Sequence, residues 1–245
     1  MTFGKLFNLS DLNGKNGFQI NLPFSYRANS VSRAGDINGD GIDDVIVGAP
    51  EAAPNGNNTS GASYIIFGID TSTTDQNFTP RRGEIEPPRF DATINVSDLD
   101  GRNGFMLNHT GAWDLFGGSV SAAGDINGDG FDDVVVGADH AHYYAEGSTP
   151  DNLIFGDRSG RAYILFGHNQ GFGSSLDTDS LDGNNGFIIK GSGFFGDSLS
   201  DIGDFNSDGL DDIIVGSPSK ASVIFGNAQG FNANLDIKYD TGFTR

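Results

Sequence analysis

The chain has 245 residues and sets 14 Lys and Arg against 33 Asp and Glu, a formal net charge of −19, a balance that repels nucleic acid and anionic membrane surfaces and attracts cations. It has no cysteine, which removes disulfides, thiolate metal sites and a Cys nucleophile, and no apolar stretch reaches membrane-spanning length. Its 20 Phe, set among short runs of Val and Ile, supply a core that a disordered acidic tail would lack.

Taken in chain order, the sequence repeats itself. The opening MTFGKLFNLSDLNG has no apolar core of signal-peptide length. SDLNGKNGFQI (Ser10 to Ile20) then reads as a tight turn and a short strand, and residues 1–23 are expected to lend one strand that completes a blade. The first repeat, 24–107, carries NSVSRAGDINGDGIDDVIVGAP (Asn29 to Pro50), GASYIIFG (Gly61 to Gly68) and SDLDGRNGFML (Ser97 to Leu107). Its polar insertion, Ile69 to Ile94, reads as a solvated loop, with local positive charge at Arg81 and Arg82. The second repeat, 108–190, carries FGGSVSAAGDINGDGFDDVVVGAD (Phe116 to Asp139), GRAYILFG (Gly160 to Gly167) and DSLDGNNGFII (Asp179 to Ile189). Between Asp139 and Gly160 lies an aromatic insertion with His140, His142, Tyr143 and Tyr144, a loop suited to ligand contact. The third repeat, 191–245, carries FGDSLSDIGDFNSDGLDDIIVGSP (Phe195 to Pro218), KASVIFG (Lys220 to Gly226) and a degenerate LDIKYDTGF (Leu235 to Phe243).

Each module has strand character. Val134-Val135-Val136 is a β-branched run bounded by Asp and Gly, as for a strand buried on both faces. No segment offers a long helical period. About four short antiparallel strands per repeat, joined by tight turns, predict an all-β fold of propeller blades. Trp113 and Phe116 are expected in core packing rather than in sugar stacking.

The Asp-rich loops start at Asp36, Asp125 and Asp204, 89 and 79 residues apart. Counting each first Asp as position 1, side-chain oxygens fall at positions 1, 3, 5 and 9, and a backbone carbonyl is offered at 7. The first loop supplies Asp36, Asn38, Asp40, Ile42 and Asp44; the second Asp125, Asn127, Asp129, Phe131 and Asp133; the third Asp204, Asn206, Asp208, Leu210 and Asp212. An all-oxygen set on a flexible loop favours Ca²⁺ over Mg²⁺. An EF-hand would continue to a Glu at position 12 and enter a helix. Here position 12 is Val47, Val136 or Val215, inside a strand, so the loop closes at position 9. Asp43, Asp132 and Asp211 at position 8 are left with a supporting or solvated role.

The order Phe116-Gly117, acidic loop, Gly137-Ala138-Asp139 resembles the FG-GAP repeat of integrin α-subunit β-propellers and their bacterial relatives. Gly48-Ala49-Pro50 repeats its second half literally and Gly216-Ser217-Pro218 nearly so. The resemblance covers nearly the whole chain and implies calcium at the same fifteen positions. The first copy departs from it, with Arg27-Ala28 where Phe-Gly is expected.

Closed propellers have about 4 to 8 blades, and three repeats leave the ring open. The chain can be a segment of a longer propeller, several chains can complete one ring as a homo-oligomer, or the ends can close a compact three-blade unit. The expected function is calcium-dependent adhesion or binding of a protein or glycan in an extracellular or cell-surface setting. A structural self-assembling subunit, or an enzyme with a pocket on the propeller face, are the alternatives. No nucleophile elbow or phosphate loop occurs and the four His are not repeated, so catalysis, nucleic-acid binding and membrane insertion are not expected.

Overall fold

The computed structural model describes residues 8–23, 26–54, 56, 59–71, 89–141 and 159–237. Most of the 69–94 and 139–160 insertions and the end of the chain lie outside the described residues. The strands are β1 (Gln19–Asn21), β2 (Ser30–Gly35), β3 (Asp44–Ala49), β4 (Ala62–Ile66), β5 (Thr93–Asn95), β6 (Gly104–Asn108), β7 (Val120–Gly124), β8 (Asp133–Ala138), β9 (Ser159–Leu165), β10 (Ser175–Asp177), β11 (Gly186–Ser192), β12 (Ser198–Gly203), β13 (Asp212–Ser217), β14 (Lys220–Ile224) and β15 (Asn234–Asp236). Among the described residues the helical turns are three short 3-10 segments, Leu9–Asp11, Val96–Asp98 and Thr178–Ser180.

Two sheets share one order. The first runs β2-β3-β4-β6, antiparallel throughout, with β10 added parallel to β6. The second runs β7-β8-β9-β11, with β15 parallel to β11. β12, β13 and β14 form a three-stranded sheet, and β1 pairs parallel with β5 in a two-stranded one. The four-stranded antiparallel blade is the one the repeat predicts. The fifth strand, lent to each blade by the following repeat, is an addition that the pattern does not announce.

The alternation of β-branched residues explains the stacking. Val134 and Val136 of β8 pack towards the first sheet, with Ile46, Ile65 and Phe105. Val135, pointing the other way, packs with Ile164, Ile213 and Val215 towards the third. The middle blade is therefore buried on both faces. A third cluster, with Val47, Tyr64 and Ile66, joins the other face of the first blade to Ile20 and Ile94.

The Phe-Gly dipeptide pins neighbouring blades. Phe116 is fully buried, stacked on His109 and edge-on to Tyr163, with ring centroids 5.2 Å away in each case. Its N–H donates to the Ser60 carbonyl of the preceding repeat at 3.0 Å, while the Gly117 N–H donates to Gly137 of its own blade at 2.9 Å. The approach is so close that a Cβ on Gly48 would overlap the Gly117 carbonyl oxygen, and one on Gly137 the Gly196 oxygen. The Gly that opens the first two Gly-Ala-Pro-like triplets is thus fixed by the Phe-Gly of the next blade. In the first blade, which has Arg27-Ala28 instead, it is the Asn29 N–H that reaches Gly48, at 3.0 Å.

Replacing Phe116 with Ala should cost about 3–5 kcal/mol of unfolding free energy. Leu9→Ala, at a site 66% exposed, should stay within about 0.5 kcal/mol; urea denaturation of the two variants checks the contrast.

Candidate metal centres

Each acidic loop joins the first strand of a blade to its second: β2 to β3, β7 to β8, β12 to β13. The loops fold on their own N–H groups. In the first, Asp36 accepts the Asp40 N–H (2.9 Å) on Oδ1 and the Gly41 N–H (2.8 Å) on Oδ2. Asn38 Oδ1 accepts from Asp40 and Asp40 Oδ1 from Ile42, both at 2.9 Å. The second loop repeats this through Asp125, Asn127 and Asp129, and the third through Asp204, Asn206 and Asp208. Position 6 is Gly41, Gly130 or Gly209, at φ of +87°, +92° and +92°, the left-handed turn that curls the loop.

The ninth-position carboxylates are fully buried. Asp44 accepts the Ile37 N–H at 3.2 Å and the Gly68 N–H at 2.8 Å. Asp133 does the same with Ile126 (3.1 Å) and Gly167 (2.9 Å), and Asp212 with Phe205 (2.9 Å) and Gly226 (2.8 Å). Burial pushes the Asp44 carboxyl up to about 7, against the pull of the Gly68 and Ile37 N–H groups and with the charges of Asp40 and Asp36 adding to it. Burial likewise drives Asp133 well above the usual carboxylate range.

The donor chemistry fits a hard divalent cation. Carboxylate, amide and carbonyl oxygens line each loop, and an oxygen holding one N–H keeps a second lone pair. Among the described residues no three His, Asp or Glu side chains converge closely enough to hold an ion as they stand. The loop backbone is curled in advance, and its carboxylates face the loop N–H groups. Asp36, Asn38, Asp40 and Asp44, with the Ile42 carbonyl, are the residues that would hold an ion in the first loop, as are their counterparts in the other two.

Position 8 has a role the spacing does not reveal. Asp132 reaches back to the first loop and accepts the Asp36 N–H at 2.8 Å. Asp211 accepts the Asp125 N–H of the second loop at 2.9 Å. Each of these carboxylates therefore ties its own loop to the start of the preceding one. Only three-dimensional stacking brings the pair together, because 86 to 96 residues separate the partners.

His109 sits between Thr178 Oγ1 (2.8 Å, at Nδ1) and Asp114 Oδ2 (2.9 Å, at Nε2). Thr178 is fully buried, so this trio ties β6 to the following 3-10 turn and offers a substrate no access. Phe116 is core, while Trp113 is half-buried with φ of +70°. His140 lies 3.1 Å from the Asp139 carboxylate; His142 lies outside the described residues. No helix among the described residues is long and apolar enough to cross a membrane.

Stacked antiparallel blades, each with one acidic loop between its first and second strands, define the class: an all-β protein of β-propeller blades. Residues 28–66 and 116–165 match the model of the FG-GAP repeat. Integrin alpha-6 of Gallus gallus is 30% identical over 193 residues, 78% of this chain and 13% of that protein. Integrin alpha pat-2 of Caenorhabditis elegans is 30% identical over 200 residues, with the same coverages. Phosphatidylinositol-glycan-specific phospholipase D of Mus musculus is 36% identical over 127 residues, 46% of this chain and 13% of that protein. The chain belongs to the FG-GAP repeat family, and it spans about an eighth of the length of these relatives.

Asp132→Ala should destabilise the fold by about 1.5–3 kcal/mol, the range for a hydrogen bond to a charged group, and Asp132→Asn, which keeps an acceptor oxygen, by less. Chemical denaturation in chelator measures both. A second expectation concerns pH. The folded-state pKa of Asp44 lies above its ordinary 3.8, so its contribution is complete below about pH 4 and is lost as pH rises through about 7. In chelator, the melting temperature should fall over that window, and the fall should be shallower in Asp44→Asn.

Proposed function

We propose that this chain is a calcium-binding FG-GAP propeller protein that mediates adhesion or protein binding outside the cell. The observation that carries the reading is the threefold recurrence of an oxygen-only loop at one place in the blade, with a buried carboxylate at its base that has no cationic partner among the described residues. Calcium in each loop supplies positive charge to Asp36, Asp40 and Asp44 and to their equivalents. Those residues would bind and orient the ion, and Asp44 and Asp133, whose proton affinity burial raises, would give up a proton as they do so.

The calcium is structural in this reading. Extracellular modules hold calcium at about 0.1–1 mM, and at ten times Kd each ion would add about 1.4 kcal/mol, three about 4 kcal/mol. Sites of that strength fill outside the cell, which motivates the extracellular or cell-surface assignment. Residues 24–107, 108–190 and 191–245 are its repeats, residues 1–23 completing a further blade. The ligand is a protein or glycan met by loops on the rigid blades. Two relatives named as integrin alpha chains favour binding over catalysis. The phospholipase relative keeps the enzyme reading, with a pocket on the propeller face, as the alternative.

Isothermal titration should find three calcium ions per chain. Affinity should weaken as pH drops from about 7.5 to 5.5, with protons released on binding, because calcium and proton compete for Asp44 and Asp133. Asp125→Ala should remove one ion of the three. No heat and no rise in melting temperature up to about 10 mM calcium would overturn the proposal.

A further inference from the structure

The first acidic loop is gripped at two points by the second blade. Asp132 stands between the Phe131 carbonyl and the Asp133 carboxylate, positions 7 and 9 of the second loop. Its carboxylate accepts the Asp36 N–H of the first loop at 2.8 Å. Gly35 lies so near that a Cβ there would overlap Asp132 Oδ2. The second grip starts from Asp133 itself. Asp133 Oδ1 accepts the Gly167 N–H at 2.9 Å, and the neighbouring His168 N–H donates to the Ile37 carbonyl at 2.9 Å. Asp36 and Ile37, the first two residues of the loop, are thus held from one side by groups attached to the ion-binding positions of the next loop.

The same two grips join the third loop to the second. Asp211, between Leu210 and Asp212, accepts the Asp125 N–H at 2.9 Å and donates its own N–H to the Asp125 carbonyl at 3.4 Å. Asp212 accepts the Gly226 N–H at 2.8 Å, and the Asn227 N–H donates to the Ile126 carbonyl at 2.9 Å. What is held matters in both loops. Asp36 and Asp125 set the curl of their loops by accepting the N–H groups of positions 5 and 6. Among the described residues no hydrogen bond joins the first loop to the third. The Arg33–Asp201 contact at 2.7 Å ties β2 to β12, outside the loops.

We propose that the three loops bind calcium cooperatively, with Asp132 and Asp211 as positioning residues that pass the order imposed by one ion to the loop before it. Calcium in the second loop fixes the Phe131 carbonyl and Asp133, the groups on either side of Asp132. That immobilises the Asp132 carboxylate and the Gly167-His168 segment, and with them the backbone of Asp36 and Ile37. The first loop then has less conformational freedom to lose when its own ion arrives, so its affinity rises. Linkage makes the effect reciprocal. Two cations in adjacent loops repel each other directly, so positive coupling has to come through the protein. The middle loop is the hub, because it shares grips with both neighbours. The inference rests on the calcium reading above and names how its sites act on one another.

Calcium titration of the full chain by calorimetry and equilibrium dialysis tests this with two one-loop variants. Asp36→Ala empties the first loop and leaves the adjacent second and third. Asp125→Ala empties the middle loop and leaves the first and third, which share no grip. Each variant should bind two ions. In Asp36→Ala the pair should fill with a Hill slope above one, the second ion binding about 5-fold or more tighter than the first, the lower end of ordinary coupling. In Asp125→Ala the slope should be one. In the unmodified chain, Asp132→Ala should lower the slope, and Asp132→Asn, which keeps the acceptor oxygen, should retain it. Asp43→Ala, at the exposed equivalent in the first loop, should leave it unchanged. A purely structural Asp132 would shift the melting temperature and not the slope. If Asp132→Ala does not fold, the comparison of the two one-loop variants decides. Equal slopes in those variants, or a slope at or below one in the unmodified chain, would overturn the proposal and leave the calcium reading standing. No calcium uptake would overturn both.

Discussion

Everything in this molecule depends on how closely one sheet can lie on the next. Where Phe116-Gly117 meets Gly48, backbone touches backbone with no room for a side chain. That contact sets the spacing at one edge of the blades, and the apolar faces of β3, β4, β8 and β9 fill the space behind it. Backbone groups buried this deeply need partners, and the N–H groups of Phe116 and Gly117 find them in two different blades. The motif is thus a joint whose two halves serve different neighbours, and the recurring order along the chain follows from that division.

The acidic loops bring the opposite problem to the other end of the strands. A blade needs a short link from its first strand to its second, and a loop of Asp and Gly makes one by turning carboxylates onto its own N–H groups. The arrangement satisfies the backbone and leaves a charge balance that water and protons can meet only in part. Asp44 and Asp133 show this most clearly, for burial raises the proton affinity of both, Asp44 to about 7 and Asp133 well above the usual carboxylate range. A divalent cation would relieve the same tension. Loop shape and ion binding are separable: the turn is already curled by its glycines and N–H groups.

Much of the fold is legible in the sequence. Three copies of each module give the number of repeats, and the bounded runs such as Val134-Val135-Val136 give strands buried on both faces. The loop positions follow from the spacing of Asp, Asn and Gly. What escapes is whatever depends on stacking. Asp132 and Asp36 stand 96 residues apart, and nothing local to either shows that one holds the other. The lent strands β10 and β15 escape for a similar reason. Three residues such as Ser175-Leu176-Asp177 have no period of their own, and they become a strand only where an outer edge is waiting. His109 is legible as a histidine but not as a tie, since Thr178 and Asp114 come from two different turns.

The lent strand also changes what a repeat is. β10 belongs to the following repeat in sequence and to the first blade in hydrogen bonding. From the last rung of this short pair onward, Asn108, His109 and Thr110 bind Asp177, Thr178 and Asp179 in turn. Removing one blade would therefore strip an edge from its neighbour as well as uncover a face. In arrays whose units touch only their neighbours, stability is a sum of unit and interface terms; here the covalent repeat and the folded unit are offset, so the interface term is built into each unit. Because Asp132 and Asp211 link successive loops, a change in charge at one loop is felt at the backbone of the next. Blade stacking and loop electrostatics are coupled through those two carboxylates.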